Sequence, residues 1–224
     1  PFKGKIKVYR QRDTGQTVAL CCDGVAFNRY GLIDGSEDWL SSLQLQNGTI
    51  IGNPVLPWGY AQQRPVELNL SQWDCVLRPG DITLDMHIPA GGSMQLEKCR
   101  QSMTEAVPFF RETFPNTMFN SISCSSWIFN TQLEDIRLSS DNLVQFQREL
   151  YLYPVPSNGT DGLWFIFFQE PFDLASAPRD TSLQRAVADY LEQGHTWRGG
   201  GMFFLAEDLP YFGTQCYRNQ RFFQ

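Results

Sequence analysis

The chain has 224 residues, 42% of them hydrophobic, 19% charged and 14% aromatic, with a formal net charge of −6. That length and composition support a large globular core and exclude a low-complexity or disordered tract. Three of the four lysines lie in the opening "PFKGKIK" and no basic stripe follows, which argues against a nucleic-acid partner because phosphate neutralisation needs clustered cations. No apolar run is long enough to span a membrane and no signal peptide is visible. The first residue is Pro1, so the chain reads as a fragment or processed product, expected in the cytoplasm.

In chain order, "KIKVYRQ" and "TVALCCD" flank Asp13-Thr14-Gly15, a hairpin signal. "TIIGNPVL" and "PVELNL" are short strands broken by Pro and Gly. Residues 36–46, "SEDWLSSLQLQ", fit a short helix or an edge strand equally. "RPGD" (78–81) is a turn with Pro and Gly where type II geometry wants them. "DITLDMHI" then alternates, with Ile82, Leu84, Met86 and Ile88 on one face and Thr83, Asp85 and His87 on the other. From 94 to 114 the period changes: Leu96, Cys99, Met103, Ala106, Val107, Phe110 and Phe114 recur at steps of three and four, a helix that Pro108 should kink or end.

"TMFNSISCSSWIF" is the next predicted strand, and Thr131-Gln132-Leu133-Glu134 has capping-box form. "NLVQFQRELYLYPV" alternates and reads as a long strand; "GLWFIFFQ" is a continuous apolar run and reads as a buried one. A second capping box, Thr181 to Gln184, opens a helix with Leu183, Ala186, Val187, Tyr190 and Leu191 on one face, stopping at Gly194. "GGGMFFLAE" is the last strand. The strand–helix–strand crossover predicts one parallel pair in a mostly antiparallel sheet with helices on both faces.

The six cysteines include an adjacent pair, are irregularly spaced and contain no C-x-x-C, so they are expected to be buried free thiols and no metal site is predicted. The cupin-like look of "LRPGDITLDMHIPAGG" lacks the several histidines such a site wants, since His195 is the only other one. The sequons at Asn47, Asn69 and Asn158 fit turn composition as well as glycosylation.

"HIPAGGSM" (87–94) carries the chemistry. Gly91 and Gly92 stand where a helix begins, so they either make room for a tight turn or expose N–H groups to an anion. Ser93 is a cap or a phosphate donor. His87, a candidate general base, shares a strand face with Asp85, the pattern of an acid–base relay; each also fits a plain structural role at a strand end. A second constellation pairs Arg179-Asp180-Thr181 with Trp197-Arg198-Gly199-Gly200-Gly201, either an anion site on bare backbone or a structural Asp180–Arg198 pair. Trp58 and Trp39, in polar segments, are candidate ligand platforms.

The order of elements resembles the core of the GNAT acyltransferase superfamily. "HIPAGGSM", "PRDTSLQRA" and "WRGGG" resemble, more narrowly, the GNAT-like C-terminal domain of bacterial acyltransferase-domain proteins. The resemblance implies a β-rich segment over residues 1–65 and a GNAT-like domain over 66–224. It also implies a helical N-terminal partner domain lying outside this chain. Acyl-CoA or acetyl-CoA would be co-substrate, its diphosphate held by Ile88, Ala90, Gly91, Gly92, Ser93 and Met94. His87 and Asp85 would be catalytic and the acceptor a small amine or hydroxyl; Arg179, Arg198 and Trp58 are read from the residues as candidates for a substrate or anion. Three features depart from the family: Ile88 stands where a polar residue is usual, Ser93 replaces the last small residue of the turn, and residues 130–142 hold no Tyr to protonate the thiolate. A catalytically inactive ligand-binding or domain-support module is the alternative.

Overall fold

β1 (Ile6–Gln11) and β2 (Thr17–Cys21) form the hairpin that Asp13-Thr14-Gly15 predicts, with Gly15 in the left-handed region. The structure is a computed structural model that describes residues 1–88, 94–137 and 140–223. β3 (Ala26–Phe27) pairs with β4 (Trp39–Leu40), and β5 (Leu43–Gln46) with β6 (Thr49–Gly52), so the ambiguous stretch 36–46 is extended. β7 (Pro54–Val55) joins the edge of β2, β8 (Val66–Asn69) pairs with β6, and β9 (Trp73–Leu77) pairs with β1. The turn over 78–81 has Gly80 at φ 93°, as a type II turn requires.

β10 (Leu84–Asp85) follows, then α1 (Leu96–Thr113) and β11 (Ser121–Ser126). Leu96, Cys99, Met103, Val107 and Phe110 turn to the core as the spacing predicts. Pro108 does not end α1, which runs five residues beyond it to Thr113. After a single 3-10 turn at Trp127–Phe129 come α2 (Leu133–Ile136), α3 (Asn142–Glu149) and β12 (Tyr151–Tyr153). The long strand expected over "NLVQFQRELYLYPV" is therefore mostly helix. Asp141 caps it by accepting the Leu143 N–H at 2.9 Å, and only the last three residues before Pro154 are extended. α4 (Leu163–Phe167) replaces the buried strand expected at "GLWFIFFQ". Leu163, Ile166 and Phe167 are buried at helical spacing, while Trp164, Phe165 and Phe168 face outward. α5 (Ser182–Glu192) carries the expected capping box at Thr181, and β13 (Gly200–Leu205) closes the order.

Four strands build the central sheet in the order β10-β11-β13-β12. β10 and β11 are parallel and the other pairs antiparallel. Every residue of β12 and β13 is buried. On one face Phe204, Phe129, Phe146 from α3 and Phe212 form a run of aromatic contacts, joined by Met103 and Val107 of α1. On the other face Tyr151 and Phe203 stack at 4.7 Å against the sheet β7-β2-β1-β9. β2 alternates between two cores: Ala19 and Cys21 meet the central sheet, Val18 and Leu20 meet Ile50 and Leu68 of the three-stranded sheet behind. α4 and α5 close a separate apolar cluster around Trp197 and Leu133. Among the described residues no helix is long and apolar enough to cross a membrane.

Candidate active site

The parallel pair is short. Leu84 faces Ile122, Asp85 faces Ser123, and the Met86 N–H reaches the Ser123 carbonyl at 3.0 Å. β11 then continues through Cys124, Ser125 and Ser126 with no β10 partner among the described residues. The two strands part after Met86. The alternation persists past the ladder: Leu84, Met86 and Ile88 pack on the main core, whereas Asp85 and His87 are exposed.

A cavity of about 310 Å³ lies where the strands part, lined by Lys3, Thr83, Asp85, Ser123, Ser125 and Tyr153 among others. Pleating puts Ser123 and Ser125 of β11 on the side of the sheet from which Tyr153 projects, and Thr83 shares a hydrogen bond of 2.7 Å with Ser123. His87 Nε2 stands 3.4 Å from Asp85 Oδ2, beside the cavity, and both side chains are wide open to solvent. Cys124 also lines it; burial first, then the Asp85 charge, push its thiol up to about 11. Burial likewise pushes the Tyr153 phenol up to about 12, with Ser125 pulling the other way. Both therefore hold their protons near neutral pH. Tyr153, Ser123 and Ser125 carry no local signal of a site in the sequence. Tyr153 reaches the cavity because β12 pairs with β13, Tyr153 opposite Gly201.

Of the expected diphosphate segment, Ala90, Gly91, Gly92 and Ser93 lie outside the described residues. Ile88 and Met94, on either side, are half-buried against the core. Gln95, the N-cap of α1, makes no side-chain hydrogen bond to the first turn, so it does not occupy those N–H groups. The first turn of α1 does carry one carboxylate, Glu97, which is paired with Arg100.

The second constellation is not brought together. Arg179 clamps α5 along its length, meeting Asp189 at 2.8 Å and also Glu192. Arg198 pairs with Asp34 at 3.0 Å, in place of the expected Asp180. The glycines of "WRGGG" serve packing: a Cβ on Gly200 would lie 1.9 Å from the Phe129 carbonyl oxygen, and one on Gly201 2.3 Å from the Tyr153 ring. Trp58 stands at the far side of the sheet, bridged to Leu152 of β12. Trp39 is core, stacked on Phe27. The cysteines are free, but only Cys21 is fully buried and Cys75 is exposed. Among the described residues no group of three His, Cys, Asp or Glu side chains is placed to hold a metal ion.

One parallel pair at the edge of an antiparallel sheet, joined by a crossover helix and parting beside a polar cavity, defines a GNAT-like α/β domain. The chain belongs to the family of GNAT-like C-terminal domains, whose match spans residues 29–204. Its fold is similar to that of an acyltransferase solved in complex with CoA and 10C-teicoplanin, at 22% identity and TM-score 0.54 over 73% of this chain and 46% of that one. An acyltransferase in complex with decanoyl-CoA and teicoplanin matches at 22% identity and TM-score 0.53, with the same coverage. So does an acyltransferase mutant in complex with octanoyl-CoA, at TM-score 0.53. The chain spans less than half the length of those proteins. No curated protein matches it.

Proposed function

We propose that this domain transfers an acyl group from acyl-CoA to a small amine or hydroxyl acceptor, and that the reaction takes place where β10 and β11 part. The observation that carries this reading is the end of the β10–β11 ladder at Asp85–Ser123, with a polar cavity at that spot. A ligand whose main chain replaces the missing strand contacts fits there. The acyl-CoA complexes of the fold's solved relatives support acyl-CoA as that ligand.

The main-chain N–H groups of residues 88 and 90–94 and of the start of α1 are assigned to the diphosphate, Pro89 having none to offer, with Gly91 and Gly92 giving it access. The acceptor's nitrogen or oxygen attacks the thioester carbonyl, the new C–N or C–O bond forms, and the C–S bond breaks. Asp85, with His87 3.4 Å away, takes the acceptor's proton. Tyr153 donates a hydrogen bond to the carbonyl oxygen as charge gathers there, for which a phenol that stays protonated is suited. Asp85 hands the acceptor's proton to His87, which gives it to the departing thiolate or to water, so both side chains end in their starting states.

Calorimetry with decanoyl-, octanoyl- and acetyl-CoA, followed by thiol release with a panel of small amines and alcohols, tests the assignment. Stoichiometric acyl-CoA binding and acceptor-dependent thiol release are expected. A domain that binds none of the three thioesters is not an acyltransferase in this sense, and binding without release on any acceptor makes it a ligand-binding module.

A further inference from the structure

The residues ahead of β1 form part of the wall of the cavity at the parted strands. Pro1 and Lys3 line it, and Phe2 between them turns the other way and is buried. Two main-chain hydrogen bonds tie Phe2 to the turn before β10. Its N–H reaches the Asp81 carbonyl at 2.7 Å, and its carbonyl accepts the Gly80 N–H at 2.9 Å. Its ring stands edge-on to Tyr153, with the centroids 5.7 Å apart. The segment therefore runs from the turn before β10 to a side chain of β12, the two edge strands of the central sheet.

Tyr153, Gly201 and Ser125 form one row across β12, β13 and β11, each directly opposite the next. Opposed residues carry their side chains on the same face of a sheet. Gly201 has no side chain, and a Cβ there would overlap Cε2 and Cζ of Tyr153, so the ring lies across β13 at that bare position. A Cβ on Gly4 would stand 3.0 Å from the same Cε2 and 2.5 Å from Cζ of Phe2, so Gly4 lets the two rings close on one another. Neither glycine has a positive φ; the rings, not the backbone, require them bare. Tyr153 is thus held by Gly201 under it and by Gly4 and Phe2 beside it, with Ser125 next in the row. A hydrogen-bond donor lowers a barrier most when it is fixed in place before charge develops, and an unheld side chain exchanges rotamers.

We propose that Phe2 is a positioning residue for acyl transfer: it locks the Tyr153 ring over Gly201, so that the hydroxyl stays aimed into the cavity. This role rests on the acyl-transfer reading of that cavity, and it makes residues 1–4 part of the site.

Single-turnover assays and acyl-CoA calorimetry on Phe2→Ala test it, in the parent and in a Tyr153→Phe background. In the parent the rate of transfer should fall by at least about tenfold, but less than in Tyr153→Phe, with acyl-CoA affinity unchanged. In Tyr153→Phe the same substitution should cost nothing further, because a residue that acts through a hydroxyl has no effect once the hydroxyl is gone. Phe2→Leu keeps apolar bulk in the core and loses the ring edge; it should show the same pattern at smaller size, and it replaces Phe2→Ala if that variant does not fold. A readout that needs no turnover is the carbon-13 signal of Tyr153 Cζ at a pH of about 11, between the ordinary phenol value of about 10 and the value of about 12 to which burial pushes this one. The phenol should be protonated there in the parent and ionised in the Phe2 variants, where water reaches the released ring. Three outcomes overturn the proposal: no fall in the parent background, equal falls in both backgrounds, or a Tyr153 that stays protonated in the variants. If the parent acylates no acceptor at all, the reaction assigned to the cavity is wrong, and the tyrosine signal alone decides whether Phe2 seats the ring.

Discussion

Tyr151 donates its phenol proton to the Val55 carbonyl at 2.5 Å and accepts the Ala19 N–H at 3.1 Å. Ala19 and Val55 are directly opposed in the β2–β7 pair, so a side chain from the central sheet is inserted into the ladder of the sheet packed upon it. The hydroxyl is fully buried, and burial pushes its pKa far above the ordinary value, so it stays protonated. Tyr151→Phe keeps the ring stacked on Phe203 but strands one donor and one acceptor. A loss of about 1–3 kcal/mol is expected, read as a lower urea midpoint with an unchanged denaturant slope. An unshifted midpoint would show that the two sheets are held by apolar contact alone.

Glu134 gives the fold a dependence on pH. Partial burial resists its ionisation, but Arg218 and Arg148 outweigh that and hold the carboxyl below its ordinary 4.5. A depressed folded-state pKa contributes stability that is fully present above the unfolded value and is lost as pH falls through the folded one. Stability should therefore be level from pH 7 to about 5 as far as this group is concerned, and decline below the ordinary carboxylate range. Glu134→Gln should be less stable than the parent at pH 7, with the gap closing toward pH 3 in urea melts. A gap that stays constant with pH would mean the ion pairs do not stabilise the fold.

Gly199, Gly200 and Gly201 look alike in sequence and differ in what surrounds them. A Cβ on Gly200 meets backbone, the Phe129 carbonyl at 1.9 Å, which cannot yield without moving the 3-10 turn. One on Gly199 would stand 3.4 Å from Asp161, an ordinary contact. Gly200→Ala is expected to destabilise by about 3 kcal/mol or more through overpacking, and Gly199→Ala by no more than ~0.5 kcal/mol. Thermal melts of the two variants decide this; equal effects would overturn the packing account.

The stretch from β10 to β11 was legible because two periods follow one another cleanly: alternation in "DITLDMHI", then steps of three and four from Leu96. The strand after it is bounded by polar turns. At "GLWFIFFQ" the same reading failed, since a run apolar on every side has no period to count. The structure makes it a helix that leaves Trp164, Phe165 and Phe168 outside. "NLVQFQREL" failed differently. Val144 and Phe146 alternate, yet Leu143, Phe146, Gln147 and Leu150 also fit a helical stripe, and the cap from Asp141 decides between them. Of the candidate site, Asp85 and His87 were readable from one strand face. Tyr153 was not, because only the pairing of β12 with β13 carries it to the cavity. The Arg198–Asp34 pair joins residues 164 positions apart, a separation with no local pattern.

The cavity at the parted strands holds three groups whose variants separate its chemistry. On the proposed mechanism Asp85→Asn removes the proton acceptor without touching the segment proposed to hold the diphosphate. Acyl transfer should fall by about 10²–10⁴ with acyl-CoA affinity unchanged. Tyr153→Phe keeps the ring that packs on Gly201 and Phe2 but deletes the donor, and a fall of about 10²–10³ in kcat is expected. Cys124, whose thiol burial pushes up to about 11, stays protonated and is a poor nucleophile at neutral pH. Transfer should therefore pass directly from thioester to acceptor, and Cys124→Ala should retain turnover. Single-turnover assays of the three variants, with affinity measured separately, read each step. If Cys124→Ala is inactive and an acylated Cys124 accumulates in the parent, the reaction proceeds through a covalent intermediate, and Asp85 must then act on that cysteine rather than on the acceptor.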